Sequence, residues 1–304
     1  MRLSQHLAVA LLVVIVPTTL RAADPGDAGA LFLRMGVGAR ASGMGEAFTA
    51  VAEDASSAYW NPAAMSAVLG TRVMFAHVEY FQSVRLEQAM LTHETEYGTF
   101  GLGFTGLHMD EMDRYDDVPS EIPLGKFSAY DVSFTLAYSR YVIPNLAAGV
   151  AVKPVYEKID ETSATGLAFD VGLYHVSKIP GVKFAAVAAN VGAPMKFIEE
   201  EFALPRSIKI GGSYERHIAR MRGDVLATLD VVLPNDGDAK QHVGAEYGYD
   251  RRLFLRAGYK AGYDSQGATF GLGVRFRQFD FDYAVLFGGN DLGDSHRISL
   301  SLRV

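Results

Sequence analysis

Residues 130–139, with the sequence YDVSFTLAYS, decide the fold class of this chain. Apolar side chains stand at every second position, as at Val132, Phe134 and Leu136, and polar or small side chains stand between them. A period of two is the repeat of a β-strand with one apolar face. The final residues, 295–304, alternate in the same way, so we expect strands at both places.

The same alternation recurs from Thr71 to the end of the chain and predicts about fourteen strands. Most of them have about 8 to 15 residues, whereas strands of globular proteins usually have about 5 to 6 and membrane-spanning strands need about 9 to 11. Strand length therefore favours a membrane barrel over a soluble sandwich. The predicted strands are 71–80, 85–95, 98–109, 128–142, 146–157, 164–176, 182–191, 206–215, 223–232, 241–249, 252–259, 267–277, 278–287 and 295–304.

The connections between the predicted strands give a second test. In an outer-membrane barrel the turns at one end are short and the loops at the other end are long. Short and long connections alternate here, as with Glu96-Tyr97 against 110–127 and Asp250-Arg251 against 192–205. The first connection, which is short, and the one near 217–222, which is longer than expected, are exceptions. The sequence thus predicts an all-β protein with one transmembrane antiparallel β-barrel.

The two faces of the predicted strands differ in polarity. Side chains such as Phe134, Phe281 and Leu300 should face lipid, because a closed barrel leaves only side chains in contact with the bilayer. Charges of both signs fall on the opposite face, which predicts a partly filled, salt-bridged lumen rather than a strongly selective ion pore. The predicted lumen charges are Asp131, Asp170, Asp230, Lys209, Glu246, Arg256, Arg275, Asp282 and Arg297.

The composition bounds the remaining possibilities. Arg2 and the apolar run of residues 7–16 predict a secretory leader at 1–23, and the run is too short for a transmembrane helix. The chain has no Cys, which excludes disulfides and Cys-type metal sites. A net charge of -7 argues against a nucleic-acid surface. We expect three parts: the leader, an N-terminal segment at 24–70 and a barrel at 71–304.

Residues 33–65, LRMGVGARASGMGEAFTAVAEDASSAYWNPAAM, lack the strand period and predict a small, bent segment. Asp54 can cap a helix over residues 55–60, and Asn61 with Pro62 forms the N-cap and first-turn pair of another. The Gly-x-Gly spacing of Gly36 and Gly38 is similar to the start of a dinucleotide-binding motif. That motif needs a preceding strand and a following crossover helix, and here the glycines follow a leader.

Several motifs of this segment carry a family resemblance. GVGAR at 36–40, GMGEAF at 43–48, AEDAS at 52–56 and YWNPA at 59–63 resemble the N-terminal segment of PorV/PorQ outer-membrane proteins and, more distantly, the hatch of FadL-type channels. The similarity continues to LGDSHR at 292–297 and so covers nearly the whole mature chain. Val304 departs from the aromatic residue that commonly ends outer-membrane strands.

The resemblance implies a hatch inside the barrel and a role in handling hydrophobic or lipid-linked cargo. The candidate hatch and ligand residues are Tyr59, Trp60, Asn61, Pro62 and Met65, with the region around Asn61-Pro62 as the movable part. Trp60 and Met65 could contact an apolar ligand or could only pack the hatch against the wall. The first functional hypothesis is a barrel in contact with outer-membrane lipid that binds or passes a hydrophobic small molecule.

The alternative hypothesis is a component of a type IX secretion system. Such a protein would bind the C-terminal domains of secreted proteins through loops 110–127 and 192–205. Neither hypothesis requires an enzyme or a cofactor.

Other chemistry has weaker support in the sequence. The His residues have no metal-ligand spacing, and Ser295 beside His296 is the nearest candidate for a hydrolase pair, for which a role at the start of a strand is the preferred interpretation. The acidic loop with Asp110, Glu111, Asp113, Asp116 and Asp117 could hold Ca²⁺, but a solvated acidic loop is the preferred interpretation.

Overall fold

A computed structural model describes residues 28–80, 83–115, 122–289 and 293–304 of the chain. The predicted leader at 1–23 lies outside these residues. So do parts of three predicted connections, at 81–82, 116–121 and 290–292.

In the described residues, fourteen antiparallel strands form a closed barrel, and two short hairpins extend from its connections. The predicted fold class is therefore confirmed. The barrel strands are β1 (Thr71–Glu79), β2 (Arg85–Thr95), β3 (Gly98–His108), β6 (Ala129–Ile143), β7 (Leu146–Ile159), β8 (Thr162–Val176), β9 (Val182–Gly192), β12 (Ser207–Ile218), β13 (Gly223–Pro234), β14 (Lys240–Tyr249), β15 (Leu253–Ala261), β16 (Gln266–Phe276), β17 (Phe279–Gly288) and β18 (Ser295–Arg303). The hairpins are β4 (Met112–Arg114) with β5 (Gly125–Phe127), and β10 (Met195–Phe197) with β11 (Glu200–Phe202).

Each barrel strand pairs with its sequence neighbours in the barrel, and β1 pairs with β18 to close the wall. The predicted strands agree with those observed to within a few residues. One loop differs: the predicted 158–163 connection shrinks to Asp160 and Glu161, because Ile159 and Thr162 still pair with each other. The apolar alternation in the sequence ends before the backbone pairing between β7 and β8 does, because backbone hydrogen bonds do not require apolar side chains.

The two ends of the barrel differ in their connections. At one end, here the proximal mouth, the N-terminal segment joins β1 at Thr71, and β6 and β7 are joined by Pro144 and Asn145 alone. At the other end, the distal mouth, lie both long connections with their hairpins. The predicted separation of the short turns from the two longest connections is therefore observed.

The wall is apolar outside and polar inside. Large apolar side chains on the outer face are exposed, as at Phe134, Phe270 and Phe281. Their neighbours point into the lumen and are buried, as at Ser133 and Asp282. This arrangement suits a wall that faces lipid. No helix in the described ranges has the length and apolar character to cross a membrane.

Residues 28–70, called the hatch, fill the lumen. They contain a 3₁₀ helix at Leu31–Arg34, α1 (Ala39–Gly43), α2 (Ser57–Trp60) and a second 3₁₀ helix at Pro62–Ala67. A further 3₁₀ turn, Ala219–Met221, lies between β12 and β13 at the proximal mouth. The largest buried apolar cluster lies between hatch and wall, so the core of this protein is inside the barrel.

The hatch runs through the lumen from one mouth to the other. Ala28 forms a parallel bridge with Ala203, which precedes β12 at the distal mouth. The segment then descends to Gly70, whose amide donates to a carboxylate oxygen of Glu94 (2.9 Å) near the proximal mouth. The described N-terminal end and the start of β1 therefore lie at opposite ends of the barrel.

Candidate functional site: the hatch and the lumen

Asn61 fixes the turn between α2 and the second 3₁₀ helix. Its Oδ1 accepts from the backbone N–H of Ala63 at 3.0 Å, so it caps this helix, and Pro62 occupies the first turn as predicted. Its Nδ2 donates to the carbonyl oxygens of Thr49 and Leu173, both at 3.2 Å. One side chain thus joins two parts of the hatch and the barrel wall.

Asp54 does not cap a helix directly, as predicted, but binds Ser56 in the turn before α2. Its Oδ1 accepts from the backbone N–H (2.9 Å) and the hydroxyl (2.5 Å) of Ser56. The predicted helix over 55–60 is shorter, because α2 begins only at Ser57. The carboxylate therefore stabilises the turn that leads into α2.

Two wall glycines make room for the Asn61 turn. A Cβ at Gly149 would lie 2.4 Å from the backbone N of Ala63, and a Cβ at Gly172 would lie 2.2 Å from Oδ1 of Asn61. Real Cβ atoms do not approach that closely, so only glycine permits this contact. Asn61 and Pro62 are fully buried against β7 and β8.

Tyr59 and Trp60 tie α2 to the start of the hatch. The Tyr59 hydroxyl lies 2.9 Å from the carbonyl oxygen of Met35, and the indole N–H of Trp60 donates to the carbonyl oxygen of Val37 at 3.0 Å. The Trp60 ring also packs edge-on against Phe48, with centroids 5.9 Å apart. Both side chains are buried, with polar atoms satisfied, and so define the shape of the hatch.

Met65 packs the hatch against the wall. It forms an apolar cluster with Ala58, Ala137 and Ala151 and is fully buried. Of the five predicted hatch residues, Trp60 lines the lumen cavity described below. Tyr59, Asn61, Pro62 and Met65 are placed in the packing between hatch and wall.

Glu46 is the centre of the first ion network between hatch and wall. Its Oε2 lies 2.5 Å from Nζ of Lys260, and its Oε1 lies 3.1 Å from Nη1 of Arg297. Arg297 also donates to the Ser42 hydroxyl (2.7 Å) and the Tyr80 hydroxyl (2.7 Å). One buried carboxylate therefore holds two buried cations from β15 and β18.

A second network surrounds Arg40 of α1. Its Nη2 and Nε lie 2.8 and 3.0 Å from the two carboxylate oxygens of Glu246 on β14. Glu246 in turn accepts from Nε of Arg256 (2.5 Å), and Arg256 reaches Asp282 at 2.7 Å. A hatch arginine thus completes a chain of four alternating charges.

A third contact places a carboxylate under the hatch backbone. Oδ2 of Asp230 accepts from the N–H groups of Phe48 (2.9 Å) and Thr49 (2.8 Å) and from the Thr49 hydroxyl (2.6 Å). These three hydrogen bonds hold residues 48–49 of the hatch to β13, because hydrogen bonds to a charged group are about twice as strong as neutral ones.

The other predicted lumen charges also point inward. Asp170 pairs with Lys153 at 2.5 Å, and Arg275 pairs with Asp280 at 2.7 Å. Asp131 lies directly opposite Glu157 in the β6–β7 ladder. Most of these charges are satisfied by the protein itself, which fits a filled lumen.

Sequence reasoning missed several charged residues of these networks, among them Arg40, Glu46, Lys153 and Lys260. A signal for each was present. Lys153 and Lys260 stand on the inward face of their strands, and Arg40 and Glu46 interrupt a segment otherwise made of small and apolar residues. A charge in such a setting is costly to bury without a partner, so its partner had to come from the lumen wall.

The environment of the hatch charges shifts their pKa values. Burial raises the pKa of Glu46, but the charges of Lys260 and Arg297 outweigh burial and lower it to about 2. Burial lowers the pKa of Arg40, but Glu246 and Asp54 outweigh burial and raise it. Both groups are therefore charged at neutral pH, and the hatch is held electrostatically to β14, β15 and β18.

A cavity of about 290 Å³ lies above the hatch on the side of the distal mouth. Leu31, Leu33, Met35 and Trp60 of the hatch form its apolar part. A cavity of about 150 Å³ already holds a benzene molecule, so this one has room for a small organic compound.

The wall contributes basic side chains to the same cavity. Lys209, Lys240 and Lys260 line it, and the ammonium group of Lys209 lies 5.1 Å from the centre of the Trp60 ring. Lys260 is neutralised by Glu46. Within the described residues, Lys209 has ring contacts to Trp60 and Tyr59 and no carboxylate within ion-pair distance.

The weaker sequence candidates are not assembled into sites. Ser295 points inward and donates to the carbonyl oxygen of Glu79 (3.3 Å), whereas His296 points outward and bonds the Tyr283 hydroxyl (2.7 Å). The two therefore form no nucleophile–base pair. Asp110 pairs with Arg85 at 3.0 Å.

Metal binding finds no support in the described ranges. They contain no group of three or more His, Asp or Glu side chains that could hold a metal ion. Asp116 and Asp117 of the acidic loop lie outside the described residues.

Comparison with known proteins gives a family and a fold. The model of a family described as "Uncharacterised protein family (UPF0164)" matches residues 20–199. No curated protein matches the chain. Among solved structures, the toluene transporter TodX of Pseudomonas putida superposes with a TM-score of 0.62 at 13% identity, covering 88% of this chain and 96% of TodX.

A deltaS2 mutant of TodX, described as a monoaromatic hydrocarbon channel, gives a TM-score of 0.58 at 12% identity, covering 87% of this chain and 96% of the mutant. At such identities the similarity shows the fold alone, a closed antiparallel β-barrel like that of TodX.

Proposed function

Since this chain belongs to the family UPF0164, whose description states no activity, we propose its function from the lumen: the barrel binds a small hydrophobic molecule above the hatch and passes it across the outer membrane. The observation that carries the proposal is the cavity of about 290 Å³ whose apolar side is built by the hatch itself. A ligand there would touch Leu33, Met35 and Trp60, so ligand binding and hatch position are coupled.

The shared fold supports this proposal. The barrel resembles TodX, whose name gives toluene as its transported compound. FadL-type channels were the more distant resemblance predicted from the hatch motifs, and a hydrocarbon transporter is consistent with it. Export by the predicted leader and residence in a bacterial outer membrane belong to the same proposal.

We place the movable part of the hatch in residues 36–54, although sequence motifs favoured Asn61-Pro62. Residues 36–54 pack closely against Gly244 and Gly258 of the wall, but they also carry the ion pairs of Arg40 and Glu46, whose charged groups water can solvate. The Asn61 turn lies in a stretch without charged side chains, residues 55–69, and packs against Gly149 and Gly172. Breaking that packing would expose apolar surface, which costs about 25 cal/mol per Å².

Uptake of radiolabelled toluene by cells that produce the barrel tests the proposal. Met35→Trp fills the cavity from its apolar side, so it should abolish uptake and binding. Leu69→Trp changes an exposed hatch residue near the proximal mouth, and it should behave as wild type. The proposal is wrong if wild type neither binds nor passes toluene or a fatty acid such as oleate, or if the two variants behave alike.

The alternative function, docking of secreted-protein C-terminal domains in a type IX system, has one supporting observation. The β4–β5 hairpin at the distal mouth exposes Tyr115 (53%) and Leu124 (68%). The other long loop is occupied, because Met195 and Phe202 of the β10–β11 hairpin pack on the start of the hatch. Deletion of 112–127 should abolish capture of such a domain if this function is correct, and toluene uptake should persist.

A further inference from the structure

A second cavity, of about 270 Å³, lies below the hatch at the proximal mouth. Arg72 of β1, Arg275 of β16 and Arg303 of β18 line it, together with Asp280 of β17. All four positions lie on the inward face of neighbouring strands. The proposed transport function makes no use of this cavity.

Two of these arginines face each other directly. Arg72 and Arg303 are partners in the β1–β18 ladder, at the seam that closes the barrel. Like charges directly opposite in a sheet are destabilising, because their Cβ atoms are only about 4.5 to 5.5 Å apart. An anion bound between the two side chains would remove this repulsion.

The protein supplies too little negative charge here. Asp280 accepts from Arg275 through both oxygens (2.7 and 3.1 Å) and from Arg303 at 3.3 Å. Among the described residues Arg72 makes no ion pair, and its one hydrogen bond goes to the carbonyl oxygen of Thr71 (3.5 Å). Three guanidinium groups therefore share one carboxylate.

The remaining carboxylates of the cavity are occupied elsewhere. Asp282 pairs with Arg256 at 2.7 Å, and Glu53 pairs with Lys183 at 2.7 Å. Asp54 pairs with Arg40 at 3.4 Å while it binds Ser56. In addition, Nε of Arg303 is buried and has no hydrogen-bond partner. The cavity thus keeps unused donors and an excess of positive charge next to open space.

We propose that this cavity is an oxyanion-binding site, in which Arg72 and Arg303 bind one carboxylate or phosphate group from the side of the proximal mouth. Guanidinium groups bind such oxyanions through paired N–H donors, which fixes both charge and orientation. The oxyanion is either the headgroup of an amphiphile or a free anion from the solution at that mouth. The site does not depend on the proposed transport of toluene.

Arginine footprinting of the folded wild-type barrel in neutral detergent tests the site directly. Phenylglyoxal modifies accessible arginines, and mass spectrometry reports each position separately. Inorganic phosphate and dodecyl phosphate are compared with chloride at equal ionic strength. We expect phosphate to protect Arg72 and Arg303 but not Arg140, which lies on the outer face of β6 near the same mouth.

The pattern of protection identifies the source of the oxyanion. Equal protection by both phosphates supports a site for a free anion, whereas protection by dodecyl phosphate alone supports a site for a headgroup. Absence of protection by both would overturn the proposal.

A variant gives a second measurement. Arg72→Gln should weaken phosphate binding about tenfold or more in isothermal titration calorimetry, because it removes a charged donor. Arg140→Gln should change it less than about twofold. Equal affinity of Arg72→Gln and wild type would contradict the proposal, and the footprint remains decisive if the variant does not fold.

Discussion

Glu46 and Arg297 meet in the lumen although 251 residues separate them in sequence, with Oε1 of Glu46 3.1 Å from Nη1 of Arg297. The other oxygen of Glu46 contacts Lys260 at 2.5 Å. All three side chains are buried, so one carboxylate of the hatch neutralises two cations of the wall. Glu46 therefore links the hatch electrostatically to β15 and β18.

Glu46→Gln should destabilise the folded barrel by about 3 to 5 kcal/mol, because it leaves two buried cations without their counter-charge. Urea unfolding in detergent micelles, followed by the fluorescence of Trp60, measures this directly. Trp60 is the only tryptophan and lies in the hatch. Glu96→Gln, in an exposed turn, is the control and should change stability by less than about 0.5 kcal/mol; a similar loss in both variants would contradict the assignment.

The contribution of Glu46 should depend on pH. Its pKa is about 2 in the folded barrel against an ordinary 4.5, so its stabilisation is complete above pH 4.5 and is lost as pH falls toward 2. The shift corresponds to about 3 kcal/mol. The difference in unfolding free energy between wild type and Glu46→Gln should therefore be constant at neutral pH and shrink below pH 4.5, and a difference that stays constant down to pH 2 would contradict it.

Gly149→Ala should destabilise the hatch, because the new Cβ would lie 2.4 Å from the backbone of Ala63. Such overpacking costs about 1 to 3 kcal/mol. Gly125→Ala is the matched control, since a Cβ there has no neighbour within 4 Å. Thermal unfolding midpoints should fall for Gly149→Ala only, and equal midpoints would argue against the close approach.

A cross-link can test which half of the hatch moves. The hydroxyl oxygens of Ser66 and Ser139 are 3.0 Å apart, so Ser66→Cys with Ser139→Cys can form a disulfide, and the chain has no other Cys. Because we place the movement in residues 36–54, toluene uptake should persist after oxidation. Uptake that stops on oxidation and returns on reduction would place the movement near Asn61 instead; the two single variants control for the substitutions.

The barrel could be predicted from the sequence because its signal is local. In a strand the pleat sends alternate side chains to opposite faces, so residues 130–139 alone reveal an apolar outer face. Short turns such as Pro144-Asn145 then mark where strands end. Both signals lie within a few residues, and the predicted strands agree closely with those observed.

The hatch contacts could not be predicted in the same way. Arg40 pairs with Glu246 across 206 residues, and the period of two says only that Glu246 points inward. Which hatch charge meets which wall charge depends on the path of residues 36–54, and short turns without period do not specify that path. The Asn61 cap was predictable because it depends on Pro62 and the next backbone N–H alone.

The course of the hatch through the lumen favours one order of assembly. Its described N-terminal end lies at the distal mouth, its C-terminal end lies at the proximal mouth, and β18 closes the wall against β1. This strand, β18, also carries Arg297, which forms an ion pair with Glu46 of the hatch. A finished barrel would have to admit residues 28–70 by threading, which folded proteins avoid. The simpler order is that the open sheet curls around the hatch as a template, and the pairing of β18 with β1 closes the wall around it in a single step.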